Sequence, residues 1–416
     1  MSNLSIDDII EFVQENDVKF IRLAFCDLYG NQKNISIMPQ ELRHALTEGV
    51  NFDSFLNLGY DDDEAEDLFL KPDPDTLHIL PWRPQSGRVV RMYCNIVLAD
   101  GTPFKYDYRN FLKETLKTCQ EMGFSTKMGL KSEFYLFKTD ENGNPTDEPF
   151  DNGSYLDVAP SDKGENIRRE ICLTLEEMGI NPQSSHHERG PGQNEIDFMS
   201  ADVLTTADNL VTYKNVVENI AARNGVYASF DPLPISDAPG NGLHIKMANF
   251  KGDTNLQILD EQFSESFMAG ILNRMREITI FLNCRKDSYS RFGMSEAPKY
   301  ITWSAQNNSR LFRVPKINGK SDHFVLRSPD SCINPYLASA IIIQAGIAGV
   351  KNNEQLPPAL DINSRFLTED RSAYLEMLPQ TIEEAIDCAA ESEFIKNSSF
   401  ADIAFHFIDI MKACID

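Results

Sequence analysis

The spacing of hydrophobic and polar residues predicts two regions of different organisation. A serine cap, an acidic first turn and an apolar stripe predict a short amphipathic helix over residues 5–15. Alternating runs predict two strands around a turn within residues 18–38 and two more strands between residues 76 and 101. The acidic, proline-containing stretch 60–76 is predicted to be an exposed loop. The first region, residues 1–102, is therefore expected to be a small mixed α+β unit.

The second region, residues 103–416, combines longer helical periods with strands. The alternating segment KMGLKSEFYLF, residues 127–137, predicts a strand, and VYASFDPLP, residues 226–234, predicts another. The segment HHERGPGQNEIDF, residues 186–198, predicts two strands joined by a Gly-Pro-Gly turn. Helical periodicity occurs at residues 108–123, 165–180, 205–225, 259–283, 334–350, 366–377 and 380–395.

The charge balance argues against some classes of partner. The chain has 39 Lys and Arg residues against 63 Asp and Glu residues, which gives a net charge of −24. Such a chain is a poor match for nucleic acid or an anionic membrane surface. The N-terminus does not resemble a signal peptide, and no apolar run is long enough to predict a membrane span. The 8 cysteines include no CxxC pair, so we predict reduced thiols in a cytoplasmic protein.

Carboxylates are concentrated on the predicted hairpin and on the strand before it. Glu188 and Glu195 flank the turn, so adjacent strands can direct both side chains into one site. Glu133 shares a strand face with Lys131 and Tyr135. Three converging carboxylates suit a hard divalent cation such as Mg²⁺ or Mn²⁺. An exposed charged hairpin, and an ion pair from Glu133 to an arginine, are the alternatives.

Two further segments predict ligand contacts. Residues 240–242, Gly-Asn-Gly, precede His244 and can bring backbone amides close to a ligand, although this sequence is also a common turn. Downstream, several arginines lie in sequences too apolar for an ordinary surface. They predict a local anion pocket, with structural ion pairing as the alternative for one or two of them. These arginines are Arg291, Arg310, Arg313 and Arg327.

Taken in order, these segments resemble the glutamine synthetase family, in particular its shorter bacterial type I form. The resemblance runs from FIRLAFCDLYGNQKNISIMP to NPYLASAIIIQAGIAGVKN. It implies an α+β fold with an N-terminal β-grasp domain, residues 1–102, and a larger α/β catalytic domain, residues 103–416. It also implies a homo-oligomeric ring, typically a dodecamer, with active sites between neighbouring subunits. The implied reaction phosphorylates the glutamate γ-carboxylate with ATP, after which ammonia or an amine displaces phosphate.

The resemblance assigns roles to individual residues. Glu133, Glu188 and Glu195 match the three carboxylates of the family's first metal site. Asp53 matches the residue that deprotonates ammonium, and Tyr155 matches the tyrosine beside it.

Further matches concern the glutamate pocket and its closure. Glu296 matches the flap glutamate that closes over the intermediate. Arg291 and Arg327 match arginines that hold glutamate and its reacting carboxylate. Gly240 and His244 match the loop that lines this pocket, and Arg313 matches a phosphate-facing arginine.

The departures from the family pattern affect the second metal and the phosphates of ATP. Lys131 and Val325 replace two second-metal glutamates, which leaves His244 as the retained ligand. Asn308 and His323 replace phosphate-binding arginines. A nucleotide-side histidine is replaced by Lys246, and the segment after Asp53 reads Ser54-Phe55-Leu56.

We therefore predict one retained metal site, with the ammonium of Lys131 in the position of the second metal. A simple salt bridge from Lys131 to Glu133 or Glu195 is the alternative. For the whole protein, an ATP-dependent ligase that makes glutamine or a γ-glutamyl amide is favoured. The alternatives are a catalytically degenerate homologue, which binds glutamate or forms a structural or regulatory ring, and an ATP-independent γ-glutamyl transferase.

Overall fold

The computed structural model describes residues 5–53, 67–316, 318–362 and 368–415. The helices are α1 Ile6–Glu15, α2 Leu42–Thr47, α3 Tyr108–Glu121, α4 Glu165–Glu177, α5 Val203–Arg223, α6 Leu256–Leu259, α7 Glu261–Leu272, α8 Met275–Leu282, α9 Lys286–Ser290, α10 Pro335–Lys351, α11 Glu369–Ser372, α12 Ile382–Glu391, α13 Glu393–Lys396 and α14 Ala401–Ile415. The strands are β1 Val18–Cys26, β2 Gln32–Ile37, β3 Val50–Phe52, β4 Leu68–Pro72, β5 His78–Ile79, β6 Arg88–Leu98, β7 Ser125–Thr139, β8 Pro145–Pro149, β9 Pro182–His187, β10 Gln193–Phe198, β11 Ala201–Asp202, β12 Val226–Ser229, β13 Leu243–Lys251, β14 Thr254–Asn255, β15 Trp303–Ser304, β16 Phe312–Arg313 and β17 Phe324–Leu326.

The N-terminal domain is a twisted sheet covered by short helices. Its strand order is β2-β1-β6-β4-β3, with β5 also paired to β6, and β1 runs parallel to β6. The predicted first helix is confirmed, because the Ser5 hydroxyl accepts the Asp8 N–H and the Asp8 carboxylate accepts the Ser5 N–H. This reciprocal cap satisfies two backbone donors at the helix start. Ile9 and Val13 lie on the buried face of α1.

One sequence prediction in this domain is wrong. Within the stretch predicted to be an exposed loop, residues 68–72 form β4, which pairs with β6. Leu68 and Leu70 belong to the domain core, while Phe69 and Lys71 are only half-buried. The alternation spans five residues, too few to stand out beside the acidic run before it. Residues 60–66 of the predicted loop lie outside the described residues.

The larger domain is built around β7, a long strand at the centre of a mixed sheet. The sheet order is β15-β16-β17-β13-β7-β10-β9, with β8, β11 and β12 also paired to β7. The predicted hairpin of β9 and β10 is confirmed, and Glu195 lies opposite both Glu133 and His186. Helix α10 packs against α3, α5, α7 and α8, and the main apolar core forms between these helices and the sheet.

Several predicted helices have different limits in the structure. The helix expected over residues 259–283 is divided into α7 and α8. The helix expected over residues 380–395 is likewise divided into α12 and α13. The helix α14 and the short strands β15, β16 and β17 were not predicted. Among the described residues, no helix combines the length and apolar character needed to cross a bilayer.

A buried ion-pair network connects the two domains. Arg109 of α3 donates to both carboxylate oxygens of Asp208, at 3.1 and 2.8 Å, and to Asp73 at 2.8 Å. Asp73 follows β4 in the N-terminal domain, and Asp208 lies on α5. Burial alone would lower the pKa of Arg109, but its pairing with Asp208 raises this pKa well above the ordinary value. The predicted domain boundary after residue 102 falls between β6 and α3 and stays a prediction.

Candidate active site

The candidate site is a cavity of about 450 Å³ at one end of the central strands. Strand β7, the turn between β9 and β10, and residues 239–244 form one part of its wall. Residues 291–297 and the end of β17 form the opposite part. The cavity thus collects side chains that are far apart in the sequence.

The carboxylates predicted to bind metal lie together at one end of the cavity. Ligand-capable atoms of Glu133, Glu195 and His244 are within 4.8 Å of one another. A second group with the same spacing contains His186, Glu188 and Glu195, so Glu195 belongs to both groups. The position of Glu133 is fixed by a 2.8 Å hydrogen bond from the Gly242 N–H. The hairpin therefore brings Glu188 and Glu195 to the carboxylate already held on β7.

The electrostatics of this cluster fit a divalent cation. Burial, together with the negative charges of Glu195 and Glu188, raises the pKa of Glu133 to about 8. Burial also raises the pKa of Glu195 to about 7, although Lys131 opposes this effect. Mutual repulsion of carboxylates in a buried place favours proton uptake, and a bound dication relieves the same repulsion. The oxygen donors suit Mg²⁺ or Mn²⁺, and the assignment of these residues as metal ligands stays a prediction.

A second divalent cation does not fit the residues beside this cluster. The Lys131 Nζ atom lies 2.5 Å from Asp197 and 3.4 Å from Glu195. His244 is opposite Lys131 on the neighbouring strand, and burial holds the pKa of His244 well below its usual range, helped by the positive charges of Arg327, Lys131 and Arg291. Val325 offers no ligand atom. An ammonium, a neutral imidazole and an alkyl group cannot replace an oxygen-rich site for Mg²⁺.

Arginines also line the cavity. Arg291 is buried, and its guanidinium donates to the carbonyls of Ser328 and Pro329. The nearest carboxylate to Arg327 is Glu296, at 3.9 Å. Burial lowers the pKa of both Arg291 and Arg327.

These guanidinium groups keep hydrogen-bonding capacity for a ligand. Within the described residues, the buried Nε atoms of Arg291, Arg313 and Arg327 have no hydrogen-bond partner. Together they can receive carboxylate or phosphate groups. Arg310 is different, because it donates to the carbonyls of Leu360 and Ile362 and does not line the cavity. Its apolar sequence context reflects a structural role.

The glycine loop brings the backbone against Arg291. A side chain at Gly240 would lie 2.4 Å from the Pro232 carbonyl and 2.6 Å from the Arg291 side chain. The Asn241 N–H donates to the same Pro232 carbonyl at 2.8 Å. Only glycine fits at position 240, while the predicted contact of this loop with a ligand stays a prediction.

The mouth of the cavity is crossed by an ion pair that the sequence analysis missed. Arg189 Nη2 donates to Glu296 at 2.9 Å. Tyr155 stands beside this pair, half exposed, with its ring centre 5.6 Å from that of His186. The sequence held two usable signals, since Arg189 lies inside the hairpin motif and Asp197 lies two residues after Glu195 on the same strand face.

A buried histidine holds the hairpin turn in place. His187 is hydrogen-bonded through Nε2 to Asp151 at 2.9 Å and through Nδ1 to the Glu188 carbonyl at 2.6 Å. Asp151 also accepts the Gly192 N–H at 3.0 Å. Asp151, His187 and Asp162 have metal-like spacing, but Asp162 is paired with Arg168. We therefore interpret this second cluster as structural support for the carboxylates at the cavity.

The remaining predicted residues differ in position. Arg313 and Asn308 line the cavity, whereas His323 pairs with Asp322 and does not. Burial lowers the pKa of His323, so its imidazole does not replace the charge of an arginine. Asp53 is exposed at the end of β3 and is not part of the cavity wall of its own chain. Residues 54–56 lie outside the described residues.

Comparisons with known proteins agree over nearly the whole chain. The family model for the glutamine synthetase catalytic domain matches residues 105–413, and that for the glutamine synthetase β-grasp domain matches residues 17–99. A glutamine synthetase of Clostridium saccharobutylicum is 41% identical over 96% of this chain and 92% of its own length. One from Methanosarcina mazei is 41% identical over 97% and 92%, respectively.

Solved structures show the same fold. A chain described as a GmaS/ADP complex superposes with a TM-score of 0.88 at 26% identity, covering 98% of this chain and 95% of that chain. The glutamine synthetase of Plasmodium falciparum has a TM-score of 0.87 at 22% identity, covering 100% and 96%. The relatives at 41% identity show that the protein is a ligase. The chain belongs to the glutamine synthetase family, so the predicted family and fold are confirmed.

Proposed function

We propose that the protein is an ATP-dependent ligase that joins the γ-carboxylate of glutamate to ammonia or a small amine through a γ-glutamyl phosphate. The observation that carries this proposal is the presence, in one cavity, of a carboxylate cluster and of guanidinium groups with free donors. Such a cavity can hold an anionic amino acid between a cation and arginines.

The charge of the cavity supports anionic substrates. The chain has a net charge of −24, but the cationic side chains of the cavity wall outnumber the carboxylates even before a metal binds. The cationic side chains are Lys131, Arg189, Arg291, Arg313 and Arg327, and the carboxylates are Glu133, Glu188, Glu195 and Glu296. Substrates rich in carboxylate and phosphate groups are therefore favoured locally against the charge of the whole protein.

For the metal, we propose one divalent cation held by Glu133, Glu188 and Glu195. When bound, Mg²⁺ or Mn²⁺ supplies polarisation of the γ-carboxylate and neutralises developing negative charge. The ammonium of Lys131 takes the place of a second cation, supported by its contacts with Asp197 and Glu195. The contact with Glu195 equally fits the alternative, a simple salt bridge, and a metal-binding titration separates the two.

For the substrates, Arg291 and Arg327 would bind glutamate, with Gly240 and His244 shaping the pocket. Arg313 would face the transferred phosphate. ADP is present in the solved complex named above, which supports a nucleotide site on this fold. Glu296 would close the mouth over the γ-glutamyl phosphate and limit its hydrolysis.

For the second step, the acceptor's neutral nitrogen would form a bond to the γ-carbon of the acyl phosphate. The bond from this carbon to the phosphate oxygen breaks, phosphate leaves with the electron pair, and a carboxylate takes the extra amine proton. We assign to Asp53 of a neighbouring subunit in a homo-oligomeric ring the preceding step, the deprotonation of the acceptor's ammonium group that gives this neutral nitrogen. The exposed position of Asp53 outside its own cavity supports that assignment.

The decisive experiment measures phosphate release with ATP, glutamate, Mn²⁺ and a panel of amines, alongside nucleotide and Mn²⁺ binding by calorimetry. We expect amine-dependent phosphate release and about one Mn²⁺ per chain. No ATP binding at millimolar concentration, with glutamate binding retained, would instead favour the catalytically degenerate homologue. Amide formation without ATP would favour the transferase.

The one-cation proposal has its own test in the Lys131→Glu, Val325→Glu double variant. If two substitutions restore a second oxygen-rich site, calorimetry should record about two Mn²⁺ per chain and higher ligase activity. Unchanged stoichiometry would contradict the proposed role of Lys131. If the second Mn²⁺ site is restored but ligase activity does not rise, low activity would instead be attributed to Asn308 and His323.

A further inference from the structure

Arg189 connects three parts of the cavity mouth. Its Nη2 atom donates to Glu296 at 2.9 Å, and its guanidinium carbon is 5.7 Å from the centre of the Tyr155 ring. Its backbone N–H donates to the Glu188 carboxylate at 3.1 Å, which fixes the start of the side chain at the metal end. Arg189 is therefore held beside Tyr155, which the family resemblance places next to the residue that deprotonates ammonium.

This arrangement determines which charged groups surround an acceptor amine at the cavity mouth. The Glu296 carboxylate lies between the guanidinium of Arg189 at 2.9 Å and that of Arg327 at 3.9 Å. Glu296 thus divides its negative charge between two guanidinium groups. Glu296 is also engaged and is a poor partner for an incoming ammonium group. A cationic acceptor is consequently disfavoured at this position.

The same guanidinium keeps donors for an anion. A guanidinium has five N–H groups. Within the described ranges, the Arg189 side chain makes one hydrogen bond, to Glu296, and 36% of the side chain remains exposed at the cavity. The carboxylates of glutamate itself would be met deeper in the cavity, by the buried Arg291 and Arg327.

We propose that Arg189 is a specificity-determining residue that selects acceptor amines carrying a carboxylate, at the expense of ammonium and of diamines with a second positive charge. This inference rests on the proposed ligase function and specifies its acceptor. The acceptor carboxylate binds the guanidinium of Arg189 beside Tyr155, while the neutral amine nitrogen attacks the γ-carbon as described above.

The test compares wild type with two variants. Arg189→Met removes the charge at similar side-chain length. Arg189→Lys keeps the charge but lacks the paired donors of the planar guanidinium. A matched control is Arg223→Met, which removes another exposed arginine, paired with Glu170 at 3.6 Å outside the cavity. For each protein, kcat/KM is measured with β-alanine, ammonium and putrescine at saturating ATP and glutamate.

We expect wild type to prefer β-alanine, and we expect the β-alanine to ammonium ratio to fall by about tenfold or more in Arg189→Met. Arg189→Lys should retain part of the preference, and Arg223→Met should retain all of it. The KM for glutamate should stay within about twofold in every variant, because the deeper arginines are intact. A preference of wild type for ammonium, or a ratio unchanged by Arg189→Met, would overturn the proposal.

A binding measurement separates failure of this inference from failure of the ligase function. If wild type shows no ATP-dependent turnover with any acceptor, the ligase proposal fails. Binding of β-alanine and putrescine, followed by NMR on the Mn²⁺-free protein, still tests Arg189. Weaker β-alanine binding in Arg189→Met than in wild type and Arg223→Met supports the role of Arg189. Equal binding in all three proteins contradicts it.

Discussion

From the contact of Lys131 with the carboxylate cluster we predict that replacing this lysine has two opposite effects. It should lower the stability of the metal-free protein and raise the affinity for Mn²⁺. Replacing Lys131 by methionine removes the ammonium that lies 2.5 Å from Asp197 and 3.4 Å from Glu195. In the metal-free protein, this leaves the buried Asp197 carboxylate without its cation, so stability should fall. In the metal-bound protein, Glu195 no longer divides its charge between Lys131 and the metal, so Mn²⁺ should bind more tightly.

The magnitude follows from the 3.4 Å contact between Lys131 and Glu195. Two unit charges at this distance interact by about 1–2 kcal/mol when the effective dielectric constant is about 40–80. This range suits Lys131, whose side chain is 44% exposed and therefore screened by solvent. The corresponding increase in Mn²⁺ affinity is about 5- to 30-fold.

Calorimetry with Mn²⁺ and thermal unfolding with and without the metal measure both effects. Lys138→Met is the matched control, because Lys138 lies on the same strand and pairs with Glu148 at the surface. We expect Lys131→Met to lower the unfolding temperature without metal and to increase the stabilisation by Mn²⁺. Weaker Mn²⁺ binding in Lys131→Met, or the same changes in Lys138→Met, would refute the reasoning.

Three further predictions concern other parts of the molecule. Arg291→Lys should raise the KM for glutamate by at least about tenfold in steady-state assays, because the lysine cannot reproduce the fork that faces the pocket. Glu133 has a pKa of about 8 in the folded protein against an ordinary 4.5. Between these pH values the metal-free folded protein keeps a proton that the unfolded chain has lost. The free energy of unfolding should therefore fall as the pH rises from about 4.5 to about 8. Thermal unfolding of wild type should therefore show this loss relative to Glu133→Gln, and added Mn²⁺ should reduce it. Arg109→Met should lower the free energy of unfolding by about 3–5 kcal/mol in urea, because Asp208 would remain buried without its partner, whereas Arg223→Met should change it little.

Local patterns were sufficient to predict the hairpin of β9 and β10. The Gly-Pro-Gly turn fixed a chain reversal, and strand alternation then placed Glu188 and Glu195 on the side of Glu133. The periodicity of two residues in a strand and the turn preference of glycine act over short distances, so the sequence alone exposes them. The same argument explains why the capped helix α1 was predicted within one residue.

Contacts between distant segments were not predictable in this way. The Arg189–Glu296 pair joins residues 107 positions apart, and the sequence around neither residue specifies the other. The short strands β15, β16 and β17 have two or three residues each, too few for a periodic signal. They extend the sheet one after another, because β17 pairs with the edge of β13, β16 with β17, and β15 with β16. The single helix predicted over residues 259–283 is two helices, α7 and α8, because the chain turns at Asn273 and Arg274. No proline marks this turn in the sequence.

The position of Lys131 on β7 affects how such an enzyme would respond to its ionic surroundings. A metal ion exchanges with solution and can be removed by a chelator, whereas a lysine ammonium is part of the polypeptide. Binding of Mn²⁺ to the nucleotide-free protein would then follow a simple hyperbola governed by one dissociation constant. The chain would thus have exchanged part of its dependence on free divalent ions for a charge that is present from the moment of synthesis.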